Sequence, residues 1–223
     1  DINFEIWKNY LLLWRNWSWK SSLTSFLMWN PIYTYNSWEI LLEGKNLLEM
    51  SVSERSNAWI FLSFQNVPEI LGINLWEYLR IIYNNKQKSV KKDFRELSPF
   101  VFRRFIKKYL DELSVPEVFL DRDLNVGFSG WEKRKIELLQ ILLLEPKYII
   151  FDEIDSWLDI DAYKVVTQAM KKINSENNSL IVITHNFEII NEITFDEVIV
   201  LKDWVIDKNG WVEIVENIKN NGF

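Results

Sequence analysis

The sequence predicts an α/β fold, a mainly parallel sheet flanked by helices, and three observations carry that expectation. Short apolar runs of strand length alternate with amphipathic stretches of helical period. Two of the runs end in polar pairs, Asp152-Glu153 and Thr184-His185, at the strand ends where ligands of open parallel sheets bind. A third run, Tyr10 to Leu13, leads into Trp14-Arg15-Asn16-Trp17-Ser18-Trp19-Lys20-Ser21-Ser22, which has the length and the Lys-Ser ending of the phosphate-binding pattern G-x-x-x-x-G-K-[ST].

In chain order, Tyr10 to Leu13 reads as a strand and Ser21 to Met28 as the helix after it, the strand, loop, helix context that a phosphate-binding loop requires. Glu39 to Leu42 reads as a strand turning at Gly44, and Ile60 to Phe64 as a buried strand ending at Gln65. Val67 to about Leu113 takes helical periodicity, interrupted by the polar, basic stretch Asn84 to Lys92, which reads as a mobile surface loop. Trp131 to Leu144 is amphipathic. Strand runs follow at Tyr148 to Phe151, Leu180 to Thr184 and Glu197 to Leu201, separated by helical patterns at Asp161 to Ile173 and Asn186 to Ile193. No internal repeat is present. The expectation is one domain over 1–223, with a core of about 1–65 and 145–223, a helical subdomain of about 66–144 and a small antiparallel β portion.

Tryptophan stands where the phosphate-binding pattern needs glycine. With Gly at 14, 17 and 19 the loop becomes G-R-N-G-S-G-K-S-S. The same exchange turns Ser129-Gly130-Trp131-Glu132 into S-G-G-E and Asp155-Ser156-Trp157-Leu158-Asp159 into D-S-G-L-D. The chain has 6 Gly and 12 Trp, whereas ordinary glycine usage predicts about sixteen glycines in this length. Twelve exchanged tryptophans would bring the total to eighteen. The pattern is expected if UGA codons meaning glycine, a code some uncultured bacteria use, are read here as tryptophan. The alternative is a real Trp-rich protein. Against it stands the strain of bulky residues at glycine positions, about 1–3 kcal/mol each.

Composition bounds the rest. With 223 residues, 48% of them hydrophobic, the chain is long enough for one large core. A net charge of -6 argues against a nucleic-acid coat, and no apolar run approaches the ~20 residues of a membrane span. The opening Asp-Ile-Asn-Phe-Glu-Ile is neither a signal peptide nor a Met start, as expected of a cytoplasmic protein lacking its first residues. Zero cysteines and one histidine leave no disulfide and no thiolate metal site.

Each candidate site residue has a bland reading beside the chemical one. Backbone N–H groups of the loop and the helix start after it would cradle phosphates, with Lys20 on the β and γ phosphates and the Ser21 hydroxyl on Mg²⁺. Asp152 suits the metal and Glu153 the attacking water; alone, they would be two solvated acids capping a strand. His185 could bond a γ-phosphate or be structural, and Gln65 could be an ordinary polar strand end. Their order along the chain, with the phosphate loop, then Gln65, the Ser129 to Glu132 helix start, Asp152-Glu153, Asp159 and Thr184-His185, favours the chemical reading.

With those residues in place, the chain resembles the ATP-binding-cassette ATPases over its whole length. Ser129-Gly130-Trp131-Glu132 resembles their signature motif. More narrowly, Asn125-Val126-Gly127-Phe128-Ser129-Gly130-Trp131-Glu132-Lys133-Arg134-Lys135, Leu144-Glu145-Pro146, the run from Asp152 to Ala162 with its Leu158-Asp159-Ile160-Asp161-Ala162, and Phe64-Gln65-Asn66-Val67-Pro68-Glu69-Ile70 look like the SufC-type ATPases of the Suf iron-sulfur assembly system. The resemblance implies a P-loop NTPase fold, ATP and Mg²⁺ as cofactors, and hydrolysis. It implies nucleotide contacts from residues 14–22, including Ser18 and Ser22, and metal contacts from Ser21, Gln65 and Asp152. Glu153 would be the base, Gln65 would sit at the attacking water and His185 would sense the γ-phosphate. Ser129, Gly130, Trp131 and Glu132 would complete the site of a second subunit, with Asp159 at the seam of an ATP-dependent homodimer. The implied partners are SufB/SufD-like scaffold proteins, with no nucleic acid and no membrane insertion, and zero Cys fits a cluster carried elsewhere. The departures are the Trp residues and the absent N-terminal strands with their adenine-stacking aromatic. Two other readings stay open: the nucleotide-binding subunit of a transporter, and a non-hydrolysing interaction module with literal Trp.

Overall fold

The computed structural model describes residues 2–14, 40–51, 54–55, 60–63, 67–153, 160–184, 187–202 and 205–221. The expected helix Ser21 to Met28 lies outside them. The described chain forms two compact units, the first of Asp1–Gln65, Pro146–Asp155 and Asn174–Phe223, the second of Asn66–Glu145 and Ser156–Ile173.

The first unit holds a six-stranded sheet. Its strands are β1 (Tyr10–Trp14), β4 (Ile60–Ser63), β7 (Tyr148–Asp152), β8 (Ser179–Ile183), β9 (Glu197–Lys202) and β10 (Val205–Gly210), in the order β10-β9-β1-β8-β7-β4. All pairings are parallel except that of β10 with β9. Continuous apolar runs suit strands covered on both faces, and β8 is buried at every residue. On one face, Tyr10, Leu12, Leu62, Ile150, Ile181, Ile183, Ile199 and Leu201 pack as a single cluster. The buried Asn9 fixes the register of β1. Its side chain donates to the Thr194 carbonyl at 3.0 Å and accepts from the Leu180 N–H at 3.2 Å, and its own N–H donates to the Asp196 carboxylate at 2.7 Å.

A separate hairpin joins β2 (Leu41–Leu42) to β3 (Lys45–Asn46). Its two turn residues, Glu43 at φ 49° and Gly44 at φ 78°, are both left-handed, as a tight two-residue hairpin requires. Strand β10 and the closing helix α5 (Glu213–Asn221) have no counterpart in the sequence reading. The polar run Val-Ile-Asp-Lys-Asn-Gly is an exposed edge strand with a bulge between Ile206 and Lys208, so no apolar alternation marks it, and Asp207 and Asn209-Gly210 look like turn residues.

The second unit contains β5 (Ile70–Asn74) paired antiparallel with β6 (Asp123–Leu124), and four helices: α1 (Leu75–Val90), α2 (Pro99–Glu112), α3 (Gly130–Leu144) and α4 (Ile160–Ile173). Helix α2 starts as its sequence dictates. The Ser98 side chain accepts from the Val101 N–H, Pro occupies the first turn, and Phe102, Ile106 and Leu110 form a buried stripe at helical spacing. Helix α4 packs on α3, so Ile160–Ile173 goes with this unit, whereas the expected core spans about 1–65 and 145–223.

The expected mobile loop at Asn84 to Lys92 is corrected. Residues 84–90 are the last turns of α1, and Asn84 is 2% exposed. Its side chain accepts from the Leu97 N–H at 3.0 Å and donates to the Leu97 carbonyl at 3.3 Å. One polar residue thereby clasps the segment between α1 and α2, and Tyr83 beside it packs on Phe94, Phe102 and Phe105. The expected helix at Asn186 to Ile193 is a 3-10 turn at Phe187–Asn191.

Candidate functional site

The parallel strands of the first unit bring their carboxyl ends to one edge of the sheet. Leu12 of β1 and Asp152 of β7 both lie in register with Ile183 of β8, and Ser63 of β4 lies beside Phe151. That edge is where the chain leaves β1 toward Arg15–Ser22, β4 toward Gln65 and β8 toward His185. The residues Arg15, Asn16, Trp17, Ser18, Trp19, Lys20, Ser21, Ser22, Gln65, Asp159 and His185 lie outside the described residues, as does the side chain of Trp14 at the end of β1.

Asp152 closes β7 and is 5% exposed. Glu153 follows with φ 50°, and its N–H donates to the Ile183 carbonyl at 2.9 Å. A glutamate in the left-handed region is uncommon and costs on the order of 1 kcal/mol or more. The neighbouring strand holds it there, so the carboxylate of residue 153 is redirected from the pleat that aligns Asp152. Buried oxygen ligands of this type suit a hard divalent cation.

In the second unit the Ser129–Glu132 stretch forms the start of α3. Ser129 is the N-cap: its Oγ accepts from the Glu132 N–H at 3.2 Å while the Glu132 carboxylate accepts from the Ser129 N–H at 2.7 Å, a reciprocal capping box. The bond from the Ser129 N–H, with smaller help from the Ser129 hydroxyl and the charges of Arg122 and Lys135, holds the Glu132 carboxyl below its ordinary value despite partial burial. Ser129 and Gly130 are exposed, and nothing lies within 4 Å of where a Gly130 Cβ would stand. The Trp131 ring faces the Lys135 ammonium at 5.1 Å. Two of the sequence runs named above meet at the approach to the cap, through residues given no role there. The Asn125 side chain donates to the Pro68 carbonyl at 2.9 Å, and Lys133 pairs with Glu69 at 2.7 Å, lowering the Glu69 carboxyl. The left-handed Asn125 and Gly127 were the available signal, as turn residues ahead of the Ser129 cap. Among the described residues no three acidic or histidine side chains group as a metal site, and no helix is long and apolar enough to cross a membrane.

Four tryptophan side chains fall among the described ones, and none is buried. Trp7 and Trp211 are 63% and 71% exposed, and Trp76 lies against Arg80 and Arg103. Trp7 also has φ 71°.

No protein-family profile matches the chain. A probable ATP-dependent transporter ycf16 of Cyanophora paradoxa is 38% identical over 208 residues, spanning 93% of this chain and 80% of that protein. A probable ABC transporter ATP-binding protein of Streptococcus pyogenes is 39% identical over 208 residues, 92% of this chain and 78% of that one. The dimeric, post-hydrolysis structure of the ATP-binding cassette MJ0796 bound to ADP and Pi superposes with a TM-score of 0.75 at 18% identity, covering 95% of this chain and 88% of that one, a likeness of fold.

Proposed function

Because the chain belongs to the ATP-binding-cassette ATPases, and so binds and hydrolyses ATP, we propose that its cycle drives iron-sulfur cluster assembly on a SufB/SufD-type scaffold. The observation that carries the enzymatic part is the shared edge of β1, β7 and β8, where buried Asp152 and left-handed Glu153 meet the strand that leads to His185. The Suf assignment draws support from the Leu158-Asp159-Ile160-Asp161-Ala162 run, the Phe64 to Ile70 stretch and the absence of cysteine from the chain.

In this reading residues 14–22 bind the nucleotide phosphates, with Lys20 on the terminal ones. Ser21, Gln65 and Asp152 would hold Mg²⁺, for which the strand-end carboxylate is a fitting oxygen donor. When bound, the ion would supply charge neutralisation for the phosphate oxygens. Glu153 orients the attacking water and takes its proton, and His185 bonds the γ-phosphate. Ser129 and Gly130 present an exposed helix start to the nucleotide of a second copy, whose amides favour anionic oxygen. Two chains with Asp159 at the seam then close around two ATP molecules in a cytoplasmic complex.

We also propose that the twelve tryptophans are glycines in the native protein. The left-handed backbone at Trp7 and the exposure of Trp7 and Trp211 support it, since such a ring ordinarily buries 150–250 Å².

The partner assignment is tested by purifying the glycine-bearing, full-length protein with its operon neighbours. Recovery with SufB/SufD-like scaffold proteins is expected. A second reading, the nucleotide-binding subunit of a transporter, is favoured by the names of both relatives; recovery only with a membrane permease would establish it instead.

A further inference from the structure

We propose that Arg122 is a positioning residue for the Ser129–Gly130 loop, setting the pose in which one subunit presents that loop to the other's ATP. The inference rests on the shared-site reading above, and no catalytic contact is assigned to Arg122 itself.

The backbone of Arg122 is fixed first. Its N–H donates to the Phe119 carbonyl at 3.1 Å and its carbonyl accepts from the Leu75 N–H at 2.9 Å, tying it to the start of α1. Its guanidinium then reaches along the chain and donates to two successive carbonyls, Val126 at 3.1 Å and Gly127 at 3.0 Å. The same group lies over the Phe128 ring at 4.4 Å and the Phe119 ring at 5.1 Å, and those rings stack on each other at 4.6 Å. A planar cation with a donor fork does both jobs at once; an ammonium does not.

What this fixes is the path into the cap. Residues 125–128 contain two left-handed positions, Asn125 at φ 62° and Gly127 at φ 66°, and Phe128 is buried immediately before the exposed Ser129. The capping box orients Ser129 against Glu132 within α3, but nothing in it determines how the loop arrives. Arg122 supplies that constraint from outside the helix. Gly127 is part of the device, since a Cβ there would stand 3.2 Å from the Arg122 Nη2.

The test uses the full chain with glycine at the twelve tryptophan positions and a Glu153→Gln background, which keeps bound ATP intact. Size-exclusion chromatography with ATP and Mg²⁺ gives the dimer dissociation constant, nucleotide fluorescence at low protein concentration gives ATP affinity of the monomer, and thermal unfolding without nucleotide reports the fold. The background protein should dimerise. Arg122→Ala, Arg122→Lys and Gly127→Ala should each leave monomer affinity within about twofold while weakening dimerisation. Because a symmetric dimer uses the loop twice, a tenfold penalty at each loop raises the dissociation constant on the order of a hundredfold for Arg122→Ala. Arg122→Lys should lie between. Should Arg122→Ala fail to fold, the lysine and Gly127 variants carry the test. A background protein that stays monomeric with ATP overturns the shared-site reading and this inference together. A dimerising background whose variants dimerise equally well overturns this inference alone, and so does a loss of monomer ATP affinity that matches the loss of dimer.

Discussion

At Glu153 the backbone leaves the extended conformation of β7 for φ 50°, and a bond from its N–H to the Ile183 carbonyl in the neighbouring strand accompanies the change. Glycine would take that conformation with little strain, so the carboxylate is kept for a reason other than stability. Replacing Glu153 with Gln keeps shape and backbone but removes the basic oxygen. Phosphate release at steady state should fall by about 10²–10⁴ while ATP still binds; near-normal turnover would take the base role away from this residue. Glu153→Gly separates the two demands. Its unfolding midpoint should match or exceed that of the parent, because strain is relieved, while hydrolysis is lost as in the Gln variant. The residue types were legible in the sequence, since two acids after an apolar run at a strand end have a stated use. The left-handed turn was not, because nothing local in Asp-Glu-Ile encodes it; the neighbouring β8 imposes it.

Helix α3 shows how an element end is both stabilised and displayed. Ser129→Ala removes the cap acceptor and should cost about 1 kcal/mol in denaturant unfolding, read as a lower midpoint at unchanged slope. The Glu132 half of the capping box depends on charge. Its folded carboxyl lies below the ordinary value, so its contribution is fully present above the unfolded value near ~4.3 and is lost as pH falls through the lower, folded one. Glu132→Gln should therefore be less stable than the parent at neutral pH, and the difference should vanish once acid protonates the folded carboxyl; a gap that persists after that protonation would contradict the capping role. In α1 the clasp of Asn84 on Leu97 makes a different claim. Asn84→Ala leaves the Leu97 N–H without its partner, while the Leu97 carbonyl keeps the Arg80 guanidinium, and should destabilise by about 1–3 kcal/mol, whereas a surface loop would tolerate it. This is the element that polar composition concealed. Asn, Lys and Gln in sequence look solvated, yet Asn84 is buried because its amide satisfies backbone groups that only the tertiary fold brings near. The apolar strands β1, β7, β8 and β9 were legible for the opposite reason, their burial being written in continuous apolar runs.

In the whole molecule, the twelve tryptophan positions are either native tryptophan or native glycine. Motif positions argue from chemistry; Trp7 argues independently from backbone, since it lies in no motif and yet adopts φ 71° with its ring 63% exposed. An exposed ring contributes little burial, and the left-handed region costs a non-glycine residue roughly 1–2 kcal/mol. Trp7→Gly alone should thus raise stability by about that amount without any functional loss. The twelve positions together make a sharper claim. If they are glycines, the coding sequence has UGA at all twelve, and peptides of the native protein carry glycine mass there; several UGG codons would refute it. The functional consequence follows from the steric need of phosphate binding. Successive N–H groups must approach the phosphate oxygens closely, and a large ring at 17 or 19 stands in that approach. A chain expressed with literal tryptophan should bind ATP weakly in equilibrium titration while the chain with glycine binds it well. Tight binding by the tryptophan form would show that residues 14–22 do not hold phosphate as proposed, and would return those positions to the reading in which tryptophan is native.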